Sequence, residues 1–260
     1  MAVALITGPT SGIGLGFAQE FARKGFDLVL VSRDAERLVA LADELRREHG
    51  VHSEVLPADL SQRTDVERVA QRLAERHRPV TALVNNAGFG LRRSFLETDV
   101  DDEQRLLDVM VTATLRLTHA AVPGMIERRG GMVINVSSVA GWITSGSYSA
   151  AKAWVTVFTE SLALELRGTG VRTTAVCPGL VRTEFHQRAG MDMAQVPEWM
   201  WLESRAVVRQ AMRDLAANRP VSVTGPQYRA ITAVLRHGPR SLVRFASAGR
   251  HRRARIDRRD

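Results

Sequence analysis

The stretch "VALITGPTSGIG", Val3 to Gly14, decides how the rest of the chain is read. Val3 to Thr7 is a short apolar, partly β-branched run, then come glycines, then a helical pattern through Phe17, Phe21 and Ala22. This predicts strand, turn and helix in immediate succession. In such a joint Gly8 permits the tight turn, Gly12 lets backbone approach a pyrophosphate, and Gly14 lets the helix pack closely. The helix N-terminus then presents unpaired N–H groups to anionic oxygen. A glycine pattern alone proves little, but one placed directly after a first strand is a phosphate-binding signal.

Working outward, the same alternation repeats. Asp27 to Val31, "DLVLV", reads as a second buried strand, and "DAERLVALADELRREHG" has leucines and alanines at helical spacing with Gly50 as its C-cap. Further strands are predicted near 52–56, 81–85, 131–136 and 171–176, with helices near 62–77, 100–121 and 147–167. Parallel neighbours need crossovers, and each crossover here has the length of a helix. The expected fold is therefore α/β, a doubly wound parallel sheet of the Rossmann type in a single domain. That domain is expected over 1–225, completed by a helix near 202–218 and a short strand at 220–223, with a basic, partly amphipathic tail at 226–260.

Composition narrows the classes. The 260 residues are 45% apolar, enough for one large domain with a sizeable core. The single cysteine, Cys177, excludes an internal disulfide and reads as a small buried residue. No uninterrupted apolar run approaches the roughly 20 residues of a membrane span, and the chain opens directly on a strand, so a cytoplasmic protein is expected. The net charge of +8 is concentrated: residues 236–260 hold nine arginines against two aspartates, leaving the body nearly neutral. The high pI thus speaks of the tail and not of the domain.

Three further motifs end strands at the carboxyl edge of the sheet, where open α/β folds bind ligands. They are "LVNNAG" (Leu83 to Gly88), "NVSS" (Asn135 to Ser138) and "CPGLVRT" (Cys177 to Thr183). Asn side chains at that edge either hold adjacent strands together or contact a ribose. Just beyond "NVSS" lies "GSYSAAKAW", Gly146 to Trp154, which sets Tyr148 four residues ahead of Lys152. Four residues turn a helix by about 400°, so phenol and ammonium share a face. An ammonium favours the ionised phenol, which suits the pair to proton exchange beside a reacting carbonyl.

With "TGPTSGIG", "NNAG", "NVSS", "YSAAK" and "PGLVRT" in this order across about residues 3–185, the chain resembles the short-chain dehydrogenase/reductase family. The resemblance implies Tyr148 as acid/base, Lys152 as ribose ligand and modulator of the tyrosine, and Ser138 as hydrogen-bond partner of the reacting oxygen, with Ser137 as the alternative serine. It implies a cofactor site from Gly8, Ser11, Gly12, Ile13, Gly14, Arg33, Asp59, Leu60, Asn86, Ala87, Tyr148, Lys152, Val181 and Thr183. Within it Asp59 contacts adenine, Asn86 lies along the cofactor, and Val181 and Thr183 hold the carboxamide. It further implies a homodimer or homotetramer acting on a small-molecule carbonyl or alcohol, and no metal. After "DLVLV" stands Ser32-Arg33 in place of the acid that NAD-specific sites use to hold the ribose hydroxyls. Arg33 can form charge-assisted bonds to a 2′-phosphate, so NADP(H) is the expected cofactor over NAD, although Ser11 stands where NADP enzymes of the family often have a second basic residue.

Two departures from the family pattern stand out. Met110 in "LLDVMVTATLRLTHA" replaces an asparagine that serves a proton relay, and a thioether cannot both donate and accept hydrogen bonds. Either Met110 simply packs the core while catalysis continues, or the relay is rebuilt with other waters, or proton exchange is impaired and the chain is a dinucleotide-binding sensor or scaffold. Ser138 also lies only ten positions before Tyr148, a short connection for the family. His119 is expected as a packed core histidine, and His186 as a residue that could meet substrate.

Residues 183–201 carry Met191, Met193, Trp199, Met200 and Trp201 without clean periodicity. They read either as a flap over an apolar substrate or as a subunit interface. The end of the chain alternates Leu235, Leu242, Val243 and Phe245 with arginines. Three readings stand for it: a solvated end, peripheral contact with an anionic membrane, and, with least support, nucleic acid.

Overall fold

Alternation along the first strand places two cores on two sides of one sheet. In β1 (Val3–Thr7) Ala4 and Ile6 face one apolar cluster while Val3 and Leu5 face the other, and all four are buried. β2 (Asp27–Ser32) repeats the division with Leu28 and Leu30 against Val29 and Val31. A strand buried on both faces reads as a continuous apolar run and demands helices above and below. A computed structural model describes residues 2–190, 193, 196–239, 241 and 244, and supplies those helices.

The remaining strands are β3 (Ser53–Pro57), β4 (Val80–Asn85), β5 (Gly131–Val136), β6 (Val171–Val176) and β7 (Val221–Ser222). They form one parallel sheet in the order β3-β2-β1-β4-β5-β6-β7. The order reverses between β1 and β4, and the carboxyl ends of these neighbours frame the crevice where such folds bind ligands. The α-helices are α1 (Gly12–Arg23), α2 (Ala35–His49), α3 (Arg63–Ala74), α4 (Val100–Leu107), α5 (Ala113–Glu127), α6 (Gly146–Glu165), α7 (Phe185–Arg188), α8 (Ser204–Ala216) and α9 (Pro226–His237). Phe17 and Phe21 of α1 with Leu38, Leu41 and Leu45 of α2 fill one core, joined by Val207, Val208, Ala211 and Leu215 of α8. Val66, Val69 and Leu73 of α3 with Leu117, Ala121 and Met125 of α5 fill the other.

Three expectations need correction. The helix predicted near 100–121 is two helices joined by a π-helical turn over Asp108–Thr112, and α5 continues through Pro123 to Glu127. Proline weakens that turn, but the fully buried Met125 holds the chain to the core beyond it. The combined span Val100–Glu127 is long and apolar enough to cross a membrane by composition alone, at a mean hydropathy of 1.2. Its Leu106, Met110, Leu117, Ala121 and Met125 are instead buried inside the fold.

His119 is exposed, because the buried stripe of α5 runs through Leu117, Thr118, Ala121 and Met125 and turns position 119 outward. Finally, residues 226–237 belong to the globular body. The ring of Tyr228 in α9 is buried in the first core, where a Cβ added at Gly179 would come within 1.9 Å of it. Its hydroxyl accepts from the Leu180 amide at 2.9 Å and donates to the Met200 carbonyl at 2.8 Å, so α9 ties together both ends of the 180–200 segment. Of the four residues on which the membrane reading of the tail rests, Leu235 is half-buried in α9, and Leu242, Val243 and Phe245 lie outside the described residues.

Candidate active site

Tyr148 and Lys152 lie in the first turns of α6, and the four-residue spacing brings them together: the Lys152 ammonium is 5.7 Å from the centroid of the Tyr148 ring. Lys152 is buried, and its Nζ donates to the Val136 carbonyl at the end of β5 at 2.8 Å. Ser138 and Tyr148 share a side-chain hydrogen bond. Ser137 points the other way: its hydroxyl donates to the Lys152 carbonyl at 2.7 Å and pairs with the Thr156 hydroxyl at 2.7 Å beneath the helix. The structure therefore brings Ser138, and not Ser137, to the tyrosine. The short connection between them closes through a 3-10 turn, Val139–Trp142, which Ser138 caps by accepting from the Ala140 amide at 3.1 Å. A Cβ at Gly141 would lie 2.9 Å from the Ala153 amide nitrogen, so a glycine there lets this turn lie against α6.

Burial sets the protonation of the pair. It pushes the Tyr148 phenol up to about 12, with the Ser138 hydrogen bond acting in the opposite direction. It pushes the Lys152 ammonium down to about 8. Cys177 is itself pushed up to about 11 by burial, so it stands as a neutral packed thiol. Near neutral pH the site thus holds a protonated phenol beside a lysine poised to lose its charge in mild base.

That depression has a thermodynamic sign. Between about pH 8 and 10.5 the unfolded chain still holds the lysine proton while the folded protein has released it, so stability rises with pH across that window. The full difference amounts to about 3 kcal/mol. Tyr148 acts in the opposite sense above pH 10, where the unfolded chain loses the phenol proton first. Urea denaturation from pH 7.5 to 10 is expected to show the wild type gaining stability relative to Lys152→Met; parallel curves would refute the burial account.

Met110 sits within the π-helical turn, buried against Leu106 and Ala151, with Phe89, Leu91, Val111 and Tyr148 packed around this small cluster. A Cβ at Gly88 would lie 3.1 Å from the Met110 Cε and 3.7 Å from the Lys152 Nζ, so thioether and ammonium border the same spot. The position that the family resemblance gives to an amide is an apolar wall here.

The first turn after β1 fits a dinucleotide. Gly8 has a φ of +64°, and a Cβ on Gly14 would lie 2.1 Å from the Gly8 carbonyl oxygen. The Asn86 amide donates to the Thr7 and Gly8 carbonyls, each at 2.9 Å, so its side chain holds the glycine turn against β4. Asn85 is buried and donates to Thr118 at 3.0 Å and Asn135 at 2.8 Å; Asn135 in turn donates to Thr159 at 2.9 Å. Both asparagines of "NNAG" thus join elements of the sheet.

Asp59 accepts from the Ser61 amide and hydroxyl and pairs with Arg105 at 3.4 Å and Arg33 at 3.9 Å. Burial alone would raise its carboxyl, but the Ser61 bonds and the two guanidinium groups hold it below its ordinary value. Arg33 is otherwise open to solvent, with its side chain 63% exposed. Leu60 is buried in the second core and Ala87 packs against it, while Ile13 packs against the first. For these residues the backbone is the part left to meet a ligand. Ser11 precedes α1 with no capping bond from its side chain. Thr183 lies over the glycine turn, its Cγ2 2.7 Å from where a Cβ of Gly12 would be, and Val181 is buried and bridged to Leu202.

The segment after Thr183 contributes a residue that pattern reading missed. The Phe185 ring stands 5.7 Å from that of Tyr148. A lone phenylalanine in a four-residue helix carries no periodic signal, and its place two residues after Thr183 is the one local cue to it. Of the residues singled out there, Met200 packs on the first core, Trp201 receives the Arg182 guanidinium at 5.4 Å, and Trp199 is exposed. Met191 and the side chain of His186 lie outside the described residues. Leu115 and Ile126 on α5 and Val157 and Leu164 on α6 are exposed apolar side chains on the outer surface.

A doubly wound sheet with a glycine turn at its switch point and a Ser-Tyr-Lys cluster at its carboxyl edge defines an oxidoreductase that uses a nicotinamide dinucleotide. The family model for short chain dehydrogenase matches residues 2–194, and the chain belongs to that family. Sulfoacetaldehyde reductase 2 of Chromohalobacter salexigens is 42% identical over 198 residues, 74% of this chain and 78% of that one. A short-chain dehydrogenase from Sphingobium yanoikuyae in complex with NADPH superposes with a TM-score of 0.82 at 36% identity, covering 90% of this chain and 93% of that one. A short-chain dehydrogenase/reductase from Burkholderia phymatum in complex with NAD superposes with a TM-score of 0.80 at 28% identity, covering 94% and 95%.

Proposed function

We propose that this protein interconverts a carbonyl and an alcohol on an apolar small molecule, with NADP(H) as cofactor and Tyr148 as the proton donor and acceptor. The observation that carries the reading is the Ser138-Tyr148-Lys152 cluster at the carboxyl edge of the sheet, within reach of the glycine turn. The bound nicotinamide supplies or accepts the hydride. In the reductive direction Tyr148, protonated because burial raises its phenol, gives its proton to the carbonyl oxygen. Ser138 hydrogen-bonds that oxygen and orients the phenol. Lys152 contributes positive charge beside the ring and a donor for the ribose. Gly8, Gly12 and Gly14 keep the backbone low enough for the pyrophosphate.

Support for NADP(H) comes from the end of β2, where Ser32 and an exposed Arg33 stand in place of a carboxylate. The structural relative in complex with NADPH agrees with this reading. Support for an apolar substrate comes from Phe89, Leu91 and Phe185 around Tyr148. Fluorescence titration with NADPH and NADH, followed by assay on a panel of apolar ketones and aldehydes, tests both parts. NADPH is expected to bind about tenfold or more tightly than NADH. Equal affinities would remove the NADP(H) assignment, and cofactor binding with no turnover of any carbonyl would favour the second reading. That reading, a dinucleotide-binding sensor, rests on Met110 as an apolar wall beside Lys152.

A further inference from the structure

One ion pair at the mouth of the cofactor crevice is unaccounted for by the reaction. Arg37 lies in the first turn of α2, where its amide donates to the Asp34 cap at 3.0 Å. Its guanidinium reaches across to two other segments. Nη2 donates to the Thr10 carbonyl in the glycine turn at 3.3 Å and to Glu184 Oε1 at 3.2 Å, and Nη1 donates to Glu184 Oε2 at 3.4 Å. A single side chain thus joins the helix after β2, the turn after β1 and the residue preceding Phe185.

Position 11 of the glycine turn is a serine, so the turn itself brings no cation to the place where a 2′-phosphate would need one. Arg37 lays its charge against the adjoining carbonyl of Thr10, from α2, and Arg33 stands one helical turn earlier in the chain. The acids facing this region are Asp34, engaged as helix cap, Asp59, engaged with Ser61, Arg33 and Arg105, and Glu184. Of these, Glu184 is the one bound to Arg37 through two oxygens.

Both partners remain open to water, at 42% and 44% exposure, and exchange of partner within such a pair costs little. A phosphate monoester brings greater negative charge and three acceptor oxygens, and a planar guanidinium binds it through two parallel hydrogen bonds. It outcompetes a single carboxylate at the same cation.

We propose that Arg37 supplies the second cation for the cofactor's 2′-phosphate, and that Glu184 holds that cation in its place until the phosphate arrives. The inference rests on the NADP(H) reading and adds a consequence to it. Glu184 directly precedes Phe185, whose ring packs on Tyr148. Exchange of Glu184 for phosphate therefore links occupancy of the 2′-phosphate site to the segment that covers the catalytic tyrosine, and any such linkage is reciprocal.

The experiment measures binding alone, by titrating wild type, Arg33→Gln, Arg37→Gln, Glu184→Gln and the Arg37→Gln/Glu184→Gln double variant with NADPH, NADH and adenosine 2′,5′-bisphosphate. Arg37→Gln is expected to weaken NADPH and the bisphosphate by about tenfold or more and NADH by less than about twofold. Glu184→Gln is expected to tighten NADPH several-fold and leave NADH unchanged, because a competitor is removed. The double variant is expected to match Arg37→Gln, since the competition runs through that arginine. Equal loss of NADPH and NADH in Arg37→Gln, or weaker NADPH binding in Glu184→Gln, would overturn the proposal. Failure of the underlying reading looks different: the wild type itself would not prefer NADPH, and Arg33→Gln would be without effect as well.

Discussion

Replacing Tyr148 with phenylalanine is expected to lower carbonyl turnover by about 10²–10⁴-fold while NADPH affinity stays within a few-fold of wild type. The substitution removes one oxygen and little else. The ring remains to pack on Phe185 and on the Met110 cluster, and the ammonium of Lys152 retains its aromatic neighbour at 5.7 Å. The lost hydrogen bond to Ser138 costs about 0.5–1.5 kcal/mol of stability, too little to unfold the domain. Turnover falls because no other described group beside Ser138 can take the role: Lys152 is bound to the Val136 carbonyl, and Met110 has no proton to give. The raised phenol also fixes a pH sign for the proposed mechanism. Reduction, which would use the protonated form, is expected to run undiminished through neutral pH, whereas alcohol oxidation, which would need the phenolate, is expected to speed up as pH rises toward 10. Steady-state assay in both directions, with cofactor binding measured separately, decides the matter. A variant that turns over at the wild-type rate would exclude tyrosine catalysis and leave the sensor reading in its place.

The parts legible in sequence and the parts hidden from it divide along a physical line. The parallel sheet covered on both faces and the placement of "NNAG", "NVSS" and "YSAAK" at one edge followed from apolar periodicity and from motif position, because burial on two faces leaves a strong local pattern. Tyr148 and Lys152 met as their spacing required, since a helix has only one way to set residues four apart. What escaped depends on contacts between distant segments. Neither the pairing of Arg37 with Glu184, 147 positions later, nor the two bonds of the Tyr228 hydroxyl leaves any periodic trace. His119 failed for a subtler reason: the π-helical turn before α5 and the choice of buried stripe set which side of that helix faces inward. The docking of α9 through Tyr228 likewise leaves no local pattern beside the +7 charge of residues 236–260.

Adding one methyl group at Gly14 is expected to weaken cofactor binding by about 100-fold or more, since close approach of helix to turn is what the crevice is built upon. The new Cβ would lie 2.1 Å from the Gly8 carbonyl oxygen, 2.4 Å from the Asn86 amide nitrogen and 2.9 Å from the Gly8 carbonyl carbon. Two of these atoms are backbone and have little room to yield. The Gly8 amide is bonded to the Val31 carbonyl at 2.8 Å, its φ of +64° belongs to the left-handed region, and its carbonyl holds Asn86 at 2.9 Å. Relief in Gly14→Ala must therefore move the turn away from α1 or break the Asn86 bond that ties it to β4, and either displaces the N–H groups that would meet the pyrophosphate. Overpacking of this kind also costs about 1–3 kcal/mol of stability, so loss of binding needs a control that separates it from loss of fold. Gly25→Ala provides one: its φ of +78° strains a side chain, yet nothing lies within 4 Å of the added carbon, the reverse of Gly14, which meets atoms without a left-handed φ. It should lose about 1 kcal/mol of stability and no cofactor affinity. Titration of both variants with NADPH, alongside urea denaturation, distinguishes strain from collision. If Gly14→Ala binds the cofactor as the wild type does, the turn is not the pyrophosphate cradle.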